Sequence, residues 1–345
     1  MSAKLWSAFL LPALLSFGSD AEAQDATSSA SLAIPALLGP YVDGNRPVMG
    51  DYRWMRGEFP GASEEEIQVT KAAKAYGAKC YERHLANNVS KLRSMGIEPL
   101  EQTSYSISLE CIAFNGMDIG EGTTWAQFQD AVADALPLAS GVVYTSDKAL
   151  AWASEDDLSL AGELRTRFLA DQVVRSALSA SFRGKDLFAN LDDLQLSIAR
   201  DMLSKQMAKV DAANSEFLAG LIAADGWPKV SEVGEEAAHD AWLLVQHADA
   251  DPALQLTALR NMESLLDEQE VSVRDYAYLY DRVMLKIAGK QRYATQFECR
   301  DGSRKPQPLE SDIASADRYR AAAQMETVAK NRARLDESYG PCPES

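Results

Sequence analysis

His247 is one of three histidines in the 345 residues, and it sits in the run Gln246-His247-Ala248-Asp249. An imidazole titrates near working pH, so beside a carboxylate it can serve as a general base. Asp249 is the candidate orienting carboxylate. Asp251 is the poorer choice, because it precedes Pro252 and reads as the N-cap of a helix with proline at its first position. A structural role competes with the catalytic one: His247 falls in the last turn of a helix, where the dipole and exposed carbonyls favour a cationic ring. A second run, Gln291-Arg292-Tyr293-Ala294-Thr295-Gln296-Phe297, is rich in neutral amides and hydroxyls. Such groups suit hydrogen bonding to a sugar, a peptide or backbone, and are weak nucleophiles without a base. Alternation in an extended segment puts Gln291, Tyr293 and Thr295 on one side and Arg292, Ala294 and Gln296 on the other. Their structural alternative is to satisfy buried helix ends. The candidate ligand-binding set is Gln246, His247, Asp249, Gln291, Tyr293, Thr295 and Gln296.

Metal chemistry finds little support. His247, Asp249 and Asp251 form an H-x-D-x-D pattern that mixes a borderline ligand with two hard ones, and Cys80 with His84 lacks further ligands at zinc-site spacing. No G-x-S-x-G elbow, Walker loop, dinucleotide fingerprint or H-E-x-x-H is present. No metal and no cofactor is assigned.

The elements that would position these residues read as mostly helical. On a wheel at 100° per residue, helix 235–248 has an apolar face of Ala237, Ala238, Ala241, Trp242, Leu244, Val245 and Ala248. Glu235, His239 and Gln246 lie along one polar edge, and Glu236, Asp240 and His247 along the other, so Gln246 and His247 diverge. Glu235 and His239 have the spacing of a helix surface pair. Helical segments are expected at 156–182, 188–224, 233–248, 252–267, 272–287 and 314–337, with Ser272 and Gly289 as start and stop signals. The region before them reads as a small α+β module over 44–150. It has a long helix from Ser63 to about Met95 with a Ser63/Glu66 capping box. An alternating strand over Thr103–Phe114, a short helix at 124–136 and a second strand at Gly141–Tyr144 follow. The expected architecture is this disulfide-tied module followed by an antiparallel, bundle-like helical domain over 156–340.

The residues of the helical half resemble an uncharacterised bacterial family, a domain of unknown function marked by a Q-H-A-D run and a later Q-x-Y-G-T-Q run. The resemblance rests on Asp225–Asp251, Gln291–Phe297, Asp171-Gln172-x-x-Arg175, Asp211-x-x-Asn214 and Tyr278-Leu279-x-Asp281-Arg282, and covers about 160–335. The family's glycine in the second run is Ala294 here, which would be strained at positive φ. The resemblance implies no reaction.

The N-terminus reads as an export signal: Lys4, an apolar stretch Leu5–Phe17, and Ala21-Glu22-Ala23 as a cleavage pattern ending at Ala23. A flexible leader over 24–43 follows. Export into an oxidising compartment makes the four cysteines two bridges, and Cys80–Cys111 with Cys299–Cys342 is the local pairing. Each would add roughly 3.5–4 kcal/mol by the chain-entropy argument. A net charge of −17 argues against a nucleic-acid surface. No apolar run is long enough to span a bilayer as a helix. The expectation is a periplasmic or secreted protein that binds a small polar ligand or an envelope partner. The alternative is a hydrolase of envelope material using His247 and Asp249.

Overall fold

The structure, a computed structural model, describes residues 32–342 apart from 44–45, 101–108, 113, 115 and 156. It is mostly helical. In chain order the helices are α1 (Glu64–Ser94), α2 (Leu109–Ile112), α3 (Trp125–Ala153), α4 (Leu160–Phe182), α5 (Asp193–Asp225), α6 (Val230–Val233), α7 (Glu235–Gln246), α8 (Pro252–Leu265), α9 (Val273–Ala288), α10 (Ile313–Ala322) and α11 (Val328–Tyr339). Two antiparallel hairpins accompany them: β1 (Val42–Asp43) with β2 (Arg46–Pro47), and β3 (Phe297–Arg300) with β4 (Ser303–Pro306). Among the described residues no helix is long and apolar enough to cross a membrane.

Local chemistry sets most helix starts. Ser63 and Glu66 form a reciprocal capping box on α1, and Thr124 with Gln127 and Asp192 with Gln195 do the same on α3 and α5. Asp251 accepts from the Leu254 N–H at 3.1 Å with Pro252 at the first helical position. Ser272 caps α9, and Gly289, at φ 68°, ends it in the left-handed region.

One expected strand is helical instead, and so is the part of another that the described residues cover. Gly141–Tyr144 lies inside α3, which runs through Pro137 well past the expected end at 136. The reason is a buried stripe at helical spacing, Ala131, Ala135, Ala139, Val142 and Ser146, which packs on α4 and α5. That burial outweighs the proline and the β-branched pair Val142-Val143. Of the expected strand Thr103–Phe114, residues 103–108 lie outside the described ones, and Leu109–Ile112 is one turn of helix. Cys111 there is bridged to Cys80 on α1, which ties the turn to the long helix. The expected single helix 314–337 is broken at 323–327 into α10 and α11.

α3, α4 and α5 pack on one another, and α4 and α5 also pack on α7. α7, α8 and α9 close the other side, around a core that includes Leu164, Leu218, Trp227, Leu244, Leu256 and Leu279. Between α1 and α3 an aromatic cluster joins Trp54 to Phe114 and Tyr52 to Phe128, both edge-to-face. The second disulfide, Cys299–Cys342, ties β3 to the residues after α11.

Candidate functional site

α7 carries two polar edges, and each meets a different neighbour. The Glu236/Asp240/His247 edge runs along α4: Arg165 pairs with Asp240 at 3.0 Å and reaches Glu236 at 3.7 Å, and His247 meets Asp171 one turn and a half further on. The Glu235/His239 edge turns to the start of α9. There His239 Nδ1 lies 2.9 Å from Asp275 Oδ2, so the expected Glu235–His239 pair is replaced by a contact between helices.

The His247 contact is the centre of a charged cluster. Nδ1 lies 3.1 Å from both Asp171 oxygens. Asp171 is buried, and it also accepts from Arg175 Nε at 2.7 Å and from Gln172 Nε2 at 2.7 Å. Arg175 extends across to Asp211 on α5. The i,i+4 spacing of Asp171 and Arg175 and the α4–α5 packing therefore place carboxylate, guanidinium and second carboxylate in a row beside the imidazole.

The surroundings push these groups apart in acidity. Burial lowers His247 below its ordinary value, and Arg175 and Arg282 add to the fall against the pull of Asp171, so the ring is neutral at neutral pH. Burial pushes the Asp211 carboxyl up to about 7; Arg175 opposes the rise, and Asp171 and Asp249 reinforce it. Burial would raise Asp171 too, but His247 and Arg175 outweigh it and hold the carboxyl below its usual range. A neutral imidazole with Nδ1–H given to Asp171 leaves Nε2 as an acceptor. No protein group among the described residues takes that nitrogen.

Asp249 does not orient His247. Its carboxylate is taken by Arg282, by Lys286 at 2.6 Å and by Gln255 Nε2 at 3.2 Å. These cations hold it well below the usual carboxylate range despite its burial. Gln255 also donates to the carbonyls of Val245 and Gln246 at 3.1 Å, so this network caps the end of α7. Asp251 caps α8 and pairs with Lys91. The H-x-D-x-D set thus separates into unrelated tasks.

Asp171, Asp211 and His247 offer ligand atoms that all lie within 4.8 Å of one another. Two carboxylates and an imidazole could suit a borderline cation. Arg175 already bridges the two carboxylates, however, and a cation would have to displace it.

The 291–296 segment is elsewhere, and its polar groups are spent on architecture. Gln291 is buried: its Nε2 donates to the carbonyls of Gln296 and Gln307, and its Oε1 accepts from Gln296 N–H. The loop wraps the buried carboxylate of Asp281, which accepts from the backbone N–H groups of Arg292, Tyr293 and Thr295 at 2.8–2.9 Å. Arg320 supplies the opposite end, donating to the carbonyls of Tyr293 and Ala294 at 2.8 and 3.1 Å. Thr295 is buried and accepts from Gln296 Nε2. The Tyr293 ring packs edge-on against Tyr280. Tyr293, Thr295 and Gln296 therefore do not converge with His247. Gln246 is buried too, and its Oε1 has no partner.

Of the cluster's members, Asp171, Arg175, Asp211 and Arg282 fall in the short motifs of the resemblance, yet their spacing alone gave them no role. Lys286 carried one usable signal, its place one turn after Arg282.

Residues 194–342 match the model of a family of unknown function (DUF6624), in line with the resemblance of the helical half to an uncharacterised domain family. The match spans α5 to α11 and leaves α4, with Asp171 and Arg175, before its start. No curated protein and no solved structure gives a significant match.

Proposed function

We propose that the protein is an exported binding domain that holds a small polar ligand at the His247 cluster. The observation that carries this reading is the unmatched hydrogen-bonding capacity there. His247 Nε2 has no protein partner among the described residues, and Asn214 Nδ2, one turn from Asp211, and Arg282 Nε are buried without one. Buried polar groups are normally paired, so such a set favours a ligand that brings both donors and acceptors. The two disulfides fit an oxidising, non-cytoplasmic compartment, and the N-terminal Leu5–Phe17 and Ala21–Ala23 pattern supports the periplasm or the cell exterior. An envelope protein could present the same groups as a small molecule.

A second reading has its own support. Groups whose environments drive their acidities in opposite directions are the mark of an acid–base pair. His247 as base, oriented by Asp171 in place of Asp249, and Asp211 as a protonated acid would serve hydrolysis of envelope material.

Thermal shift of the purified protein with amino acids, dipeptides, muropeptides and sugars tests the first reading. The expected result is a ligand that raises the melting temperature of wild type and leaves His247→Gln unmoved. If no probe shifts the wild type, the binding reading fails. Turnover of ester, amide or glycoside probes that is lost in His247→Gln would move the assignment to the hydrolase.

A further inference from the structure

The opposite end of α7 opens on a half-open cavity of about 610 Å³, far enough from His247 to be a separate place. His239 and His247 are eight residues apart on the helix, about 12 Å along its axis. Trp227, Trp242, Tyr278, Met262 and Val271 line it; the two indoles are buried and Tyr278 is half-buried. The lining is also polar, with Glu235 and His239 on one edge of α7, Arg274 and Asp275 at the start of α9, and Gln269.

The rim is set in place by contacts that leave much of its capacity free. His239 lies against Trp242, with ring centroids 4.9 Å apart and planes 32° apart, and its Nδ1 is bound to Asp275. The imidazole's other nitrogen has no protein partner among the described residues. Arg274 sits 5.9 Å over the Tyr278 ring and makes no ion pair among them. The Trp242 indole N–H is buried with no acceptor. Gln269, on the rim, holds φ 60°, a left-handed conformation that side chains other than glycine seldom adopt. It closes α8 in a Schellman turn there, the Gln269 N–H donating to the Leu266 carbonyl and the Glu270 N–H to that of Leu265.

The lining selects a ligand class. Glu235 and Asp275 stand against Arg274 and an imidazole whose pKa the Asp275 contact raises, so the rim carries both signs of charge and selects neither an anion nor a cation. An aromatic lining, with Tyr278 its most exposed ring, favours a ligand with an apolar face, and a rim of carboxylates, guanidinium, amide and imidazole favours one with several hydroxyls. A ring that is apolar across its faces and hydroxylated around its edge has both properties. The volume suits a drug-sized or disaccharide-sized ligand. We propose that this cavity is a carbohydrate-binding site for a neutral pyranose unit, distinct from the His247 cluster.

The test is titration of the full chain with maltotriose, cellotriose and chitotriose, followed by calorimetry and by NMR of the histidine and indole resonances. At least one of the three should bind saturably and shift the His239 and Trp242 signals while leaving His247 in place. His239→Ala and Arg274→Ala, each checked to be folded by circular dichroism, should weaken that binding roughly fivefold or more, the loss expected for one hydrogen bond. His247→Gln should bind as wild type does, which separates this site from the proposed function of the charged cluster. The proposal is overturned if all three sugars leave these signals unmoved at millimolar concentration. It is equally overturned if both rim variants bind normally, or if glucuronate or glucosamine oligomers bind much more tightly than the neutral sugars.

Discussion

Nδ1 of His247 lies 3.1 Å from each carboxylate oxygen of Asp171, a residue 76 positions earlier in the chain. The pair joins the C-cap of α7 to the middle of α4, and it fixes which ring nitrogen carries the proton. Asp171 also receives Arg175 and Gln172, so the carboxylate has no freedom to turn away.

Replacing Asp171 with Asn should therefore change the histidine before it changes the fold. Asp171 supports the charged form of His247, so its neutral amide should push the imidazole still further below its ordinary value. NMR titration can follow this, since only His84 and His239 compete for assignment. Arg175 would lose a buried partner as well, and chemical denaturation should show a loss of about 2–4 kcal/mol. An unmoved His247 titration would mean the pair does not govern the ring.

Asp211 gives stability a pH dependence of definite sign. Its carboxyl ordinarily titrates at 3.8 and is raised to about 7 in the folded chain. Between those values the folded state holds a proton that the unfolded state has lost, so stability falls as pH rises through the window. The contribution is fully present below the unfolded value and gone above the folded one. Asp211→Asn removes it. Relative to wild type the variant should melt several degrees higher at about pH 8 than it does at about pH 5. An identical difference at both pH values would remove the raised carboxyl from the account.

The site was only partly legible in the sequence, for physical reasons that differ by residue. Helix ends follow local rules, so Ser63, Asp251, Ser272 and Gly289 could be placed from their neighbours alone. The wheel of α7 separated its two polar edges correctly, because helical periodicity is local. What faces each edge is not local. Asp249 is two residues from His247, but chain turning after the helix sends it to Arg282 and Lys286, while Asp171 arrives from a distant helix. The β3–β4 hairpin shows the converse. Its Asp301-Gly302 turn, with φ 53° and 66°, is a local signal that the sequence did carry. Ala131 to Ser146 carried a helical stripe as well, hidden behind Pro137 and the valines.

Asp281 and Arg320 hold the 291–296 loop from its two sides, one through N–H groups and the other through carbonyls. Both are fully buried. Truncating either to Ala strands several backbone groups, and each variant should lose about 3 kcal/mol or more in chemical denaturation. The double variant should lose less than the sum, since both act on one loop. A cost below about 1 kcal/mol for either would show that the loop is held by its disulfide instead.

Ala294 tests whether that loop demands glycine. Its φ is 51°, in the left-handed region, where an alanine costs about 1–2 kcal/mol. Glycine would remove that strain. It would also free the unfolded chain by about 0.4–1 kcal/mol, and delete a methyl group, buried against Ala316 and Val328, worth about 0.8 kcal/mol. These terms nearly cancel, so Ala294→Gly should change stability by less than about 0.5 kcal/mol. That balance explains how alanine is accommodated where the resembled motif has glycine. Ala294→Val has no such compensation: a β-branched side chain at positive φ in a filled site should cost more than about 2 kcal/mol. If glycine stabilised by that much instead, the Ala294 methyl would contribute nothing to the Ala316 and Val328 contact, and strain alone would set the energetics of the loop.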